Sequence, residues 1–170
     1  MNFIRNSFAF PSDPSLPYHH LTDESRLRQT HLRTMISGIH HVNILVPDGT
    51  LDQATEFYSD TLGLESAPVP ELQKGTILWF NLTPDGSQQI HVNLGPNPEL
   101  DSQRHACLRV SSLDELQTLQ NRILAHQENG GPAAPMDVDR LGMCSGPTGE
   151  EYPRRFFARD FAGNRLEFSV

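Results

Sequence analysis

Two stretches of this chain are written twice. Ile39-His40-His41-Val42-Asn43 finds its echo in Gln103-Arg104-His105-Ala106-Cys107. Gln89-Ile90-His91-Val92-Asn93 finds its echo in Arg165-Leu166-Glu167-Phe168-Ser169. Every copy alternates apolar and polar residues, as a half-buried strand does. Every copy also puts a histidine or a carboxylate at the matched position. A repeat of this kind restricts the chain to a fold made of two copies of one unit. Four possible metal donors, two per copy, are what a cation site between the copies requires.

The segments between the echoes fill in that unit. Residues 39–46 read as a strand stopped by Pro47-Asp48-Gly49. Leu51, Ala54, Phe57, Tyr58 and Leu62 recur at helical spacing, with Gly63 as the stop. Residues 76–82 and 89–94 form a hairpin across Pro84-Asp85-Gly86-Ser87. The second half repeats the order. A strand covers residues 105–110, and a helix capped by Ser112 carries Leu113, Leu116, Leu119, Ile123 and Leu124. Residues 135–153 are a long variable piece with one strand and a Gly-rich loop, and a closing hairpin spans residues 155–170. Each half is thus β-α-β-β-β, an α+β unit with its helix on one sheet face. The modules cover about 38–96 and 103–170 of a domain at 37–170. Residues 1–36, broken by Pro11, Pro14 and Pro17, read as a poorly ordered extension.

Alternation then divides the faces. Val42, Ile44, Ile90, Val92, Ala106, Leu108, Leu166 and Phe168 point to the helices. His41, Asn43, His91, Asn93, His105, Cys107, Arg109, Arg165 and Glu167 point the other way. A face that merely met water would carry scattered Lys, Glu and Thr. This one carries three imidazoles and a carboxylate at matched places, which reads as a ligand cup. Trp79 and Phe80 take opposite faces, so one lines the cup. Tyr152, beside the variable loop, is a candidate proton donor. Arg109 and Arg165 could attract an anionic substrate, although ion-paired surface arginines are the commoner reading. His40 reads as structural on the helix side, and His126 as solvent-facing.

Composition excludes some classes. The chain has 13 basic and 21 acidic residues, a net charge of -8, and no basic stripe for nucleic acid. No apolar run approaches the length of a membrane span. Two cysteines, Cys107 and Cys144, make no disulfide framework, so a cytoplasmic protein is expected. Arg5, Arg26, Arg28 and Arg33 also suit a mitochondrial leader, against which stand Asp13, Asp23 and Glu24.

The order of these pieces resembles the vicinal oxygen chelate superfamily, the group of glyoxalase I, bleomycin-resistance proteins and extradiol dioxygenases. The matching residues are Ile39-His40-His41-Val42, the Phe57-Tyr58 to Leu62-Gly63 helix end, Arg104-His105-Ala106, and Asp160-Phe161-Ala162-Gly163-Asn164 with Glu167. The resemblance implies two βαβββ modules forming an incomplete barrel around a divalent metal: Fe, Zn, Ni, Co or Mn. It maps the ligands onto His41, His105 and Glu167, with His91 as a fourth ligand or an acid/base group. Where glyoxalase I usually has Glu, this chain has His91. The resemblance further implies a homodimer acting on a small oxygenated molecule. The favoured activity is a glyoxalase-like lyase or isomerase, with Glu167 or His91 moving the proton. The alternatives are an Fe(II) ring-cleaving dioxygenase and a metal-free binding or resistance protein.

Overall fold

The computed structural model describes residues 36–97, 99–146 and 152–170. The chain divides into Met1–Ser37 and Gly38–Val170. The extension expected at residues 1–36, including His19, His20 and His31, lies almost wholly outside the described residues.

Gly38–Val170 contains two four-stranded sheets of identical plan. The first uses β1 (His41–Val46), β2 (Glu65–Ala67), β3 (Ile77–Asn81) and β4 (Gln89–Leu94), in the order β1-β4-β3-β2. The second uses β5 (His105–Arg109), β6 (Asp137–Val138), β7 (Arg155–Arg159) and β8 (Arg165–Ser169), in the order β5-β8-β7-β6. In each sheet the first and fourth strands run parallel and the rest antiparallel. The duplication in sequence is therefore a duplication in topology. His41 and His105 both open a first strand, and His91 and Glu167 are both third in a fourth strand.

The first helix departs from the expected form. It is α-helical over Leu51–Thr55 and then a π-helix over Glu56–Thr61. The wider turn accommodates Phe57, Tyr58 and Thr61 on its buried side, and both aromatic residues are completely buried. Gly63 leaves the helix at φ 80°, where a side chain would be strained. The second helix, Leu113–Asn129, is regular, and Ser112 Oγ accepts the Glu115 N–H at 3.2 Å. The strand expected in the variable piece shrinks to the two residues of β6. The loop after it is tied instead by Asp139, whose carboxylate accepts the amides of Ser145 and Phe157 at 3.0 and 2.9 Å.

The helix-side faces of both sheets feed one core, containing Ile44, Phe57, Tyr58, Phe80 and Ile90 together with Leu116, Ile123, Phe156, Leu166 and Phe168. Polar contacts cross between the halves. Tyr58 donates to buried Asp160 at 2.7 Å, and Arg122 donates to the Leu62 carbonyl at 2.9 Å. His126 is not solvent-facing: its ring bonds Thr61 at 2.7 Å and lies near Glu56 and Phe57. Burial, helped by the neighbouring carboxylate, holds the Tyr58 phenol well above its ordinary pKa. Burial also pushes the Asp160 carboxyl upward against its four hydrogen bonds. No helix among the described residues is long and apolar enough to cross a membrane.

Candidate functional site

Alternation in the strands sends the polar residues to the face opposite the core, and the structure gathers them into two clusters. On the first sheet three rings stack. His91 lies between Trp79, centroids 4.5 Å apart, and His41, centroids 4.2 Å apart. Phe80 is completely buried on the other side, so Trp79 is the aromatic that lines the polar face. His91 Nε2 is 3.0 Å from Gln89 Oε1. An amide oxygen only accepts, so Nε2 carries the proton and Nδ1 keeps a lone pair. Burial, with His41 and His40 nearby, holds the His91 pKa below its ordinary value. Asn93 donates to Asn43 across the strands. His40 is exposed before β1 and meets His41 edge-on, rather than packing toward the helix.

On the second sheet His105 Nε2 sits 2.8 Å from Glu167 Oε2. The other ring nitrogen, Nδ1, is 2.7 Å from the Gln103 carbonyl oxygen and donates to it. With Nδ1 protonated, a neutral ring would turn the Nε2 lone pair onto a carboxylate oxygen. Such a contact needs a proton, on the ring or on the carboxyl, or a cation between the atoms. Metal bonds of about 2.0–2.2 Å put ligand atoms at right angles, as in an octahedral site, about 2.8–3.1 Å apart. A backbone carbonyl on the far nitrogen is also the usual support of a ligating histidine. The pair therefore fits half of a cation site. Around it, Arg155 reaches Glu167 at 3.5 Å, Phe157 stands edge-on to His105, and Cys107 contacts Ser169 at 3.3 Å.

The chain thus joins His41 to His91, and His105 to Glu167, but not the two pairs to each other. Among the described residues no three His, Cys, Asp or Glu side chains gather closely enough to hold a metal within one chain. Asn43, Cys107, His105 and Arg165 border a cleft of about 790 Å³ that runs between the β1 and β5 edges. Arg109 is exposed on β5, and Tyr152 is half-buried before β7, outside that cleft. Sequence reasoning places Gln89 on the polar face with His91 and Asn93 but gives it no role, and it missed Gln103, Arg155 and Phe157. Gln89 and Arg165 hold matched positions at the start of the fourth strands, so the repeat itself carried a signal for Gln89.

The model of the Glyoxalase/Bleomycin resistance protein/Dioxygenase superfamily matches residues 38–168. The chain belongs to that superfamily. Among solved structures, a glyoxalase family protein from Bacillus anthracis is 27% identical, with a TM-score of 0.57 over 81% of this chain and 97% of that one. The fosfomycin resistance protein FosX from Listeria monocytogenes is 18% identical, with a TM-score of 0.59 over 80% of this chain and 92% of that one. A variant of FosX carries Mn(II) and 1S,2S-dihydroxypropylphosphonic acid, and it aligns over 79% of this chain and 90% of its own at 18% identity and a TM-score of 0.56. At such identities FosX shares the fold. No curated protein matches the chain.

Proposed function

We propose that this superfamily member is a divalent-metal enzyme acting on a small oxygenated molecule, by lyase or isomerase chemistry of the glyoxalase kind. The observation that carries the reading is the His105–Glu167 pair, 2.8 Å apart with the far imidazole nitrogen occupied by a carbonyl. Two donors do not make a centre. His41 holds the equivalent of the His105 position on the first sheet, on a face that its own chain does not bring to Glu167. A homodimer in which the first sheet of one copy faces the second sheet of the other completes the set, His41 from one chain and His105 with Glu167 from its partner. Manganese bound by FosX, on a similar fold, is consistent with such a set. A divalent metal bound there would supply a Lewis acid for charge that develops on a substrate oxygen.

The proton is the work of this chain. His91 is held neutral by burial and oriented by Gln89, which leaves Nδ1 as the acceptor. Trp79 and His41 clamp its two faces. A ring fixed on both faces loses little orientational freedom when it takes up a proton. One observation favours ring cleavage as a second reading: the Trp79–His91–His41 stack offers a flat wall to a planar substrate.

Elemental analysis of protein supplemented with Mn, Fe, Ni, Co and Zn, followed by hemithioacetal and catechol assays, tests both readings. Stoichiometric metal with hemithioacetal turnover is expected. Metal without hemithioacetal turnover but with oxygen-dependent catechol cleavage moves the assignment to the dioxygenase. No metal under any condition overturns both and leaves a binding protein.

A further inference from the structure

We infer that Arg165 forms an oxyanion subsite beside the His105–Glu167 pair, so that the substrate carries a carboxylate, phosphonate or phosphate group. The inference rests on the metal-enzyme reading for its place in a reaction, and on Arg165 alone for the binding. Arg165 is 8% exposed, yet among the described residues its side chain makes no hydrogen bond and no ion pair. Its guanidinium lies 4.2 Å from the centre of the Phe157 ring, which is its one close partner. A ring face offsets only part of the cost of removing a charge from water. A guanidinium does not shed that charge in a protein.

The repeat shows that the fold does not ask for a cation here. The matched residue of the first sheet is neutral Gln89, bonded through its amide nitrogen to Asn81 and through its oxygen to His91, at 2.9 and 3.0 Å. The matched ring is Trp79, which stacks on a histidine. The second sheet alone has a charged residue at this place, and among the described residues no carboxylate or carbonyl is bonded to its side chain.

Arg165 borders a small polar cleft of about 150 Å³ together with Gln103, Ser145, Phe157, Arg159 and Asp137. That is room for about five waters at their liquid volume, the scale of one oxyanion. Arg159 is tied to the carbonyls of Gly163 and Ser102 and adds charge from a fixed position. A planar fork held against a ring is preorganised for two oxygens of one acidic group. Arg165 also borders the larger cleft that contains His105. An acidic group on Arg165 would therefore set the remainder of a small molecule against the His105–Glu167 pair. Asp137 opposes a doubly charged ligand, so a monoanion is favoured.

Calorimetric titration of the whole protein with methylphosphonate and with acetate tests this, before and after chelator treatment. Saturable binding of one or both is expected and should survive the chelator, whereas an anion held only by a metal is lost with it. Arg165→Gln should weaken binding at least tenfold with metal content unchanged, Asp137→Asn should tighten it, and Lys74→Gln should leave it as it is. If Arg165→Gln does not fold, Phe157→Leu keeps the charge and releases the fork, and binding should fall severalfold. No saturable binding by the wild-type protein overturns the subsite, as does an affinity within twofold after loss of Arg165. Loss of metal binding with anion binding retained would instead sink the metal reading and leave the subsite standing.

Discussion

At the scale of single residues, the contrast between Glu167 and His91 is the informative one. They occupy the same place in the two modules, and their surroundings give them different work. Glu167 has His105 and Arg155 beside it, which suits an ionised carboxylate. Replacing it with Gln should reduce metal affinity by more than about 100-fold, because loss of mere supporting partners already costs 10–100-fold. Equilibrium dialysis with manganese reads this directly. His91→Phe should keep the stack and most of the stability, within about 1.5 kcal/mol for a swap of similar shape, and should remove turnover. The same variant has a pH signature. The folded ring releases its proton below the ordinary histidine value of about 6.5. Just below that value the folded state therefore binds fewer protons than the unfolded one, and stability falls as pH drops through the window. Denaturation midpoints between pH 5 and 7 should slope in the wild type and flatten in His91→Phe. That His41, His91, His105 and Glu167 share the polar faces was legible, because strand alternation is strict. That His91 is clamped between two rings was not, because it depends on the cross-strand register that sets Trp79 opposite His91.

At the scale of elements, the helices hold the halves together through few polar contacts, and these are expensive to lose. Tyr58→Phe removes a buried hydrogen bond to the Asp160 side chain. It should cost about 1.5–3 kcal/mol if the carboxyl is ionised, measured by urea unfolding at constant slope. Gly63→Ala combines a strained positive φ with a Cβ placed 3.2 Å from the Arg122 guanidinium that binds Leu62. It should destabilise by about 1 kcal/mol or more, and the contact between the two helices should be lost with it. The apolar spacing of residues 51–62 revealed a helix. It did not reveal the π form, because that form answers to two adjacent aromatics needing room in a core contributed by both halves. His126 misled in the same way: a polar residue near a helix end is read as solvated until a neighbouring helix supplies Thr61 and Glu56.

At the scale of the whole molecule, the proposed sharing of a metal between two chains makes a prediction that no single chain satisfies. His41→Ala and Glu167→Gln should each bind metal poorly. Unfolded together and refolded as a mixture, they should regain binding if the proposed dimer forms, since a mixed dimer would pair the intact His41 of one chain with the intact His105 and Glu167 of the other. Metal content of the mixture against the separate variants reads this, and no recovery argues for a site within one chain. The βαβββ repeat, the paired sheets and the residues of the polar faces follow from the sequence, because a period of two, a helical stripe and a turn signal are all local facts. Which polar side chains meet is settled by the packing of the helix-bearing faces into a shared core, and that packing joins residues more than a hundred positions apart. The sequence therefore determined the unit and its donors. Tertiary structure alone decided that they stand as two pairs rather than one cluster, because a core that takes both inner faces leaves each polar face to its own sheet.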